Sequence, residues 1–103
     1  AALQVRDLNG DGVDEVLSEQ YAGASGQMLY VLGFPSGIPT WQTPSGGKFE
    51  GKDYFGETGV WLEDTDGDGL LDILASYGPA AASTDVYRWD GARYAFAITL
   101  LNK

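Results

Sequence analysis

Two short segments of the 103-residue chain concentrate its acidic side chains and share one spacing. The first reads DLNGDGVDE over residues 7–15, and the second reads DTDGDGLLD over residues 64–72. Counted from the first aspartate, both carry acid or amide oxygens at positions 1, 3, 5 and 9 and glycine at position 6. A loop that curls around a cation turns alternate side chains inward, and the glycine permits the bend that brings the carbonyl of position 7 onto the ion. The pattern predicts two metal-binding loops.

The expected metal is calcium, because the ligands are hard oxygens, several of them anionic, on a flexible loop that suits six to eight ligands. The predicted ligands are Asp7, Asn9, Asp11, the Val13 carbonyl and Glu15 in the first site, and Asp64, Asp66, Asp68, the Leu70 carbonyl and Asp72 in the second. Asp14, at position 8, is predicted to face solvent. A helix-flanked calcium loop needs an acid at position 12, where this chain has Ser18 and Ala75, so the expected flanks are strands.

Charge and composition exclude several function classes. The chain has 15 acidic and 6 basic residues, a net charge of -9, and eight of the acids lie in residues 7–15 and 64–72. The remainder is nearly neutral and has no basic patch, which argues against a nucleic-acid partner. No apolar run approaches the roughly 20 residues of a membrane span.

The residues that most enzymes need are missing. The chain has no histidine and no cysteine, so it lacks the usual general base, the nucleophile pairs that depend on it, and any disulfide. The acids outside the two loops show no spacing that selects a catalytic pair. We therefore predict that the protein is not an enzyme.

Alternating apolar residues between turn formers predict an all-β fold of eight strands in two repeats, residues 1–57 and 58–103. The predicted strands are Leu3–Arg6, Glu15–Tyr21, Met28–Phe34, Lys48–Lys52, Val60–Glu63, Asp72–Tyr77, Asp85–Trp89 and Tyr94–Leu100. Asp90 and Gly91 predict a tight hairpin. The stretch Gly33–Gly47 holds three of the four prolines and is predicted to be an irregular loop, with Trp41 as a candidate ligand or glycan contact.

On these residues the chain resembles the FG-GAP repeats of integrin α-chain propellers and the related VCBS repeats of bacterial surface and secreted proteins. Both acidic loops match the family loop, with Asn9 and Glu15 as departures, and Phe55-Gly56 resembles the FG pair. The resemblance implies two four-stranded antiparallel, blade-like sheets. It also implies a calcium loop between the first two strands of each sheet, where the ion holds the blade together rather than doing chemistry.

Two such sheets are too few to close a propeller, so their faces and edges need cover. Three arrangements remain open: a compact sandwich, a ring of several copies, and an open fibre. The C-terminal strand is apolar on both sides, which predicts that both of its faces are covered and favours self-association.

This combination predicts a calcium-stabilised structural or adhesion module outside the cell or on its surface. The module is expected to associate with copies of itself, and glycans or surface proteins are its candidate further partners. Extracellular sites of this type bind calcium at about 10⁻⁴–10⁻³ M. The chain starts at Ala1 and is expected to be a processed or excised product. The alternative is a propeller-type lectin in which aromatic rings stack on sugars. For Trp61 and Trp89, core and cross-strand packing is the expected role.

Overall fold

The computed structural model describes residues 2–22 and 26–101, and strands dominate it. The strands are β1 (Ala2–Arg6), β2 (Glu15–Ala22), β3 (Gly26–Gly33), β4 (Thr40–Gln42), β5 (Pro44–Ser45), β6 (Gly59–Glu63), β7 (Asp72–Tyr77), β8 (Ser83–Trp89) and β9 (Tyr94–Leu101). The helical structure within these residues is limited to single 3-10 turns at Pro35–Gly37 and Pro79–Ala81. The predicted all-β class is confirmed. Across the described ranges, no helix has the length and apolar character to cross a membrane.

The first four strands form sheet A, an antiparallel meander in chain order. Arg6 pairs with Glu15 at the closed end of the β1–β2 hairpin, so the first acidic loop joins these two strands. The predicted bounds of the first three strands are correct to within two residues, because turn-forming residues bound each apolar run. Sheet A has four strands, the predicted number, but only its first three are the predicted ones.

The second sheet, sheet B, contains five strands rather than the predicted four. Strands β6 to β9 form an antiparallel meander, and the second acidic loop joins β6 to β7. The fifth strand is β5, which pairs in parallel with Tyr94 and Ala95 at the edge of β9. Proline has no N–H to donate to a ladder, so Pro44 is compatible only with an edge position of this kind. Two residues from the predicted loop thus extend sheet B.

The predicted strand Lys48–Lys52 is wrong, since this segment forms turns. Its backbone groups bond to side chains of sheet B: Lys48 N–H donates to Asp85 Oδ2 at 2.8 Å, and Phe49 N–H donates to the Tyr87 hydroxyl at 3.2 Å. Phe49 is buried in the core, and this burial draws the segment away from the edge of sheet A. The fourth strand of sheet A is instead β4, within the predicted irregular loop.

The core lies between the two sheets and is closed by the segment that connects them. Its members are Leu8, Leu17, Leu29, Val31, Phe49, Phe55, Val60, Ile73, Ala75, Tyr87 and Tyr94. Phe55 is central: its backbone N–H and carbonyl bond to Leu29 at 2.9 and 2.8 Å, and its ring lies 5.4 Å from that of Tyr87. The following glycine, Gly56, has φ of 106° and leaves no room for a side chain against the Gln27 carbonyl. The Phe55-Gly56 pair therefore joins the two sheets.

The last strand is covered less completely than its sequence predicts. Tyr94 is buried, whereas Phe96, Ile98, Leu100 and Leu101 are all exposed. From residue 96 onward, β9 pairs only with β8, since β5 reaches only the first two residues. The prediction that both faces are covered does not hold within one chain.

Candidate metal centre

The first acidic loop is wound around the carboxylate of Asp7. The Gly10 N–H donates to Asp7 Oδ1 and the Gly12 N–H donates to Asp7 Oδ2, both at 2.9 Å. Gly10 and Gly12 have φ of 75° and 82°, a region that glycine enters without strain. Asn9 Oδ1 and Asp11 Oδ1 each accept a bond from the backbone N–H two residues later. These bonds keep the acidic side chains on the inside of the bend.

The second loop repeats these bonds at the same spacing. Asp64 accepts the N–H groups of Gly67 at 2.8 Å and Gly69 at 3.0 Å. The bonds from Gly69, and then Gly67, hold the pKa of Asp64 below its ordinary value. Asp66 and Asp68 accept the same short-range bonds as Asn9 and Asp11. The two segments therefore adopt one local conformation.

A buried acid completes each loop from the first residue of the following strand. Glu15 begins β2, and its Oε1 accepts the Leu8 N–H at 2.7 Å. Asp72 begins β7, and its Oδ2 accepts the Thr65 N–H at 3.0 Å and the Thr65 hydroxyl. Both acids are almost fully buried. Burial, reinforced by the charges of Asp11 and Asp7, raises the pKa of Glu15, so a nearby cation would relieve a real electrostatic cost.

The structure gathers three carboxylates in each loop. These groups are Asp7, Asp11 and Glu15 in the first loop and Asp64, Asp66 and Asp72 in the second, with one oxygen from each residue within 4.8 Å of the others. Calcium binds oxygen at about 2.4 Å, so ligands on opposite sides of one ion lie about 4.8 Å apart. Oxygens this close could share one calcium ion. Asp68 is outside the second group, and the metal-binding role of every predicted ligand in both loops stays a prediction.

Arg88 is a cation at the second loop that the sequence pattern did not predict. Its Nε lies 3.4 Å from Asp72 Oδ2 and 3.5 Å from Asp66 Oδ2, and its Nη2 donates to the Thr65 hydroxyl at 2.9 Å. Arg88 lies on β8, next to Tyr87, which pairs with Ile73. Val16 pairs with Leu32 in sheet A as Ile73 pairs with Tyr87 in sheet B. The residue of sheet A equivalent to Arg88 is therefore Gly33, beside Glu15. The two loops thus differ in charge: the second has a built-in counter-ion, and the first has none at that position.

The two loops lie at the same end of the molecule and contact each other. A Cβ added to Gly10 would come within 2.6 Å of Leu70 Cδ2. The Tyr94 hydroxyl is buried nearby and has no hydrogen-bond partner within residues 2–22 and 26–101. Burial raises the pKa of Tyr94 most, and the charges of Glu15, Asp7, Asp72 and Asp11 raise it further. A buried hydroxyl without a partner is a group that a bound water or an ion ligand would satisfy.

The tryptophans occupy three different settings. Trp41, on the edge strand β4, is 59% exposed and lines a cleft of about 420 Å³ together with Asn9, Asp11 and Arg93. Trp89 packs on Tyr94 with ring centroids 5.1 Å apart, as its predicted packing role requires. Trp61 pairs across strands with Leu74 but is largely exposed, so it is not a core residue. Asp14 faces solvent, as predicted.

Comparison of this chain with protein-family models, with curated proteins and with solved structures found no match.

Proposed function

We propose that the protein is a calcium-stabilised extracellular module, structural or adhesive in role and without enzymatic activity, that associates with itself. The observation that carries this proposal is the pair of three-carboxylate groups, each held in the same loop conformation with oxygens within 4.8 Å of one another. Hard anionic oxygens at this separation suit calcium better than softer or strictly octahedral metals. The resemblance to FG-GAP and VCBS repeats supports the same reading.

The ion would act on stability because each loop closes a hairpin. The first acidic loop, residues 7–15 (loop 1), joins β1 to β2, and the second, residues 64–72 (loop 2), joins β6 to β7. Without a cation, each loop must hold like charges close together. In the first loop, burial and then the charges of Asp11 and Asp7 raise the pKa of Glu15. A doubly charged ion converts that repulsion into attraction. Loops of this class bind at about 10⁻⁴–10⁻³ M outside cells, so the sites would fill in extracellular calcium and stay empty in the cytosol.

The proposal is tested by thermal unfolding in calcium, in magnesium and in excess chelator. If each site binds at about 10⁻⁴ M, calcium at 100 times that concentration stabilises the fold by about 2.7 kcal/mol per site, which raises the Tm by roughly 10–20 °C. Magnesium at the same concentration should have a much smaller effect. An unchanged melting curve in chelator contradicts the proposal.

Matched variants then assign the effect to the loops. Asp7→Asn and Asp64→Asn should each remove about half of the calcium-induced rise in Tm. Asp14→Asn removes the same charge from loop 1 at a solvent-facing position and should keep the full rise. Equal losses in all three variants would indicate a general charge effect instead of two sites.

A lectin is the second candidate, and the setting of Trp41 favours it. An exposed indole beside a cleft with amide, carboxylate and guanidinium groups has the composition of a sugar subsite, with one stacking face and several polar partners. A glycan array should then give hits that Trp41→Ala abolishes. Trp61→Ala removes an exposed indole that does not line this cleft, and the hits should persist in this variant. An array without hits in calcium-containing buffer eliminates this candidate.

A further inference from the structure

We propose that copies of this chain associate head to tail, with the outer face of sheet A in one copy packed on the outer face of sheet B in the next. The inference rests on the self-association proposed above and names its two surfaces. It follows from the pairing register of the strands, which shows which side chains share a face.

Side chains directly opposite each other in neighbouring strands lie on one face of a sheet, and the adjacent row lies on the other face. In sheet A the row that faces the core is Gln4, Leu17, Val31 and Gln42. In sheet B the row that faces the core is Leu62, Ile73, Tyr87 and Phe96. These two rows belong to the faces through which the sheets pack inside one chain.

The next row on each sheet points away from the core and is apolar throughout. Outer row A consists of Val5, Val16, Leu32 and Trp41. Outer row B consists of Trp61, Leu74, Val86 and Ile98. The ends of both rows are exposed, with Val5 at 61% and Ile98 at 48%, whereas Leu74 and Val86 in the middle of outer row B are already buried within the chain. Sheets that face water on one side normally carry polar residues there, so two fully apolar outer rows indicate surfaces that become covered.

The two sheets correspond strand by strand, and each outer row corresponds to an inner row of the other sheet. Gln4 and Leu17 of sheet A occupy the places that Trp61 and Leu74 occupy in sheet B, because Gln4 pairs with Leu17 as Trp61 pairs with Leu74. Outer row B is thus the counterpart of the row through which sheet A binds sheet B. By the same register, outer row A is the counterpart of the inner row of sheet B.

This correspondence selects a second copy as the occupant. The chain already packs one sheet on the other through these row positions, and each chain leaves the two ends of one outer row of each kind exposed. A second copy offers the complementary surface in the same geometry, so the internal packing can continue from one chain to the next. The contact joins unlike faces, and such contacts either close into a ring or extend into a filament.

A pair of lysine variants tests the head-to-tail contact. Val5→Lys blocks outer row A and Ile98→Lys blocks outer row B, and both positions are exposed on strands with a free edge, where lysine is compatible with the fold. Association is followed by sedimentation velocity and electron microscopy in millimolar calcium. Wild type should assemble, whereas each variant alone should need a roughly 100-fold higher concentration, because an unpaired charge would be buried in the contact. Ile38→Lys, at a 64% exposed position outside both rows, should assemble as wild type does.

Mixing the two variants at equal concentrations gives the decisive result. Each retains the face that the other has lost, so the mixture should form dimers that cannot grow. Dimers in Ile98→Lys alone would point to a contact between two A faces, and a mixture that stays monomeric would refute the unlike-face contact. Full assembly of either variant would point to strand-edge pairing and also overturn the inference. Calcium-dependent melting of the same samples reports separately on the proposed function.

Discussion

Replacing Arg88 with glutamine should make calcium bind more tightly at the second loop. The Arg88 guanidinium lies 3.4 Å from Asp72 Oδ2, and an ion held by that oxygen would be about 2.4 Å from it. The two cations would therefore be no more than about 6 Å apart. Even in the dielectric of bulk water, a single and a double positive charge at this distance repel by about 1.4 kcal/mol. Because Arg88 is only partly exposed, this figure is a lower bound.

The expected result is at least a tenfold gain in affinity at loop 2, measured by calorimetry at low salt. Asp7→Asn is present both in the parent protein and in the Arg88→Gln variant, so that heat from loop 1 does not obscure loop 2. Glutamine keeps a hydrogen-bond donor for Asp72 and removes only the charge. The gain should shrink as salt is added, since screening weakens repulsion between accessible charges.

Arg93→Gln is the matched control. It removes the same charge from the β8–β9 connection, where the residue is exposed and its backbone N–H donates to Asp90 Oδ1 at 2.8 Å. Its affinity at loop 2 should stay within about twofold of the parent. Unchanged or weaker calcium binding in Arg88→Gln would refute the reasoning, because it would mean that Arg88 supports the site instead of competing for its carboxylates.

Two further measurements test the contact between the two loops and the burial of Tyr87 in the core. Gly10→Ala and Gly67→Ala occupy equivalent positions with φ of 75°, so each should lose about 1–2 kcal/mol of unfolding free energy to left-handed strain. Only the Gly10 variant must also displace Leu70, and it should lose about 1 kcal/mol more; equal losses would refute the loop contact. Burial raises the pKa of Tyr87 to about 12, so the folded state favours the neutral phenol at alkaline pH. This contribution to stability should be complete below about pH 10 and fall by about 2 kcal/mol as the pH rises to about 12, in denaturant titrations. Tyr87→Phe should flatten this loss, and an equally steep loss in that variant would assign it to other groups.

The features that could be predicted from sequence are those set by neighbouring residues. The acidic loops bend around Asp7 and Asp64 through bonds that span at most five residues, so their spacing is readable directly. Strand bounds follow from local turn formers in the same way.

The features that could not be predicted depend on distant contacts. Phe49 lies in a segment that the sequence predicts as a strand. Its place is set by its own bond to Tyr87 and by the bond of Lys48 to Asp85, both to residues almost forty positions away. Arg88 reaches loop 2 only because of the β7–β8 register, which the five-residue connection between these strands determines. A one-residue change of register would place this side chain on the other face of the sheet.

Calcium binding and head-to-tail association would be linked through β1. This strand is an edge of sheet A, it carries Val5 of outer row A, and its one hairpin connection is loop 1. An ion in loop 1 would hold β1 on β2 and so keep outer row A in place for the next copy. Coupling of this kind is reciprocal, so association must raise calcium affinity by the factor by which calcium raises association. The calcium concentration at half-saturation should therefore fall as protein concentration rises in wild type and stay constant in Val5→Lys. A half-saturation point that is independent of protein concentration in an assembling wild type would separate the two processes.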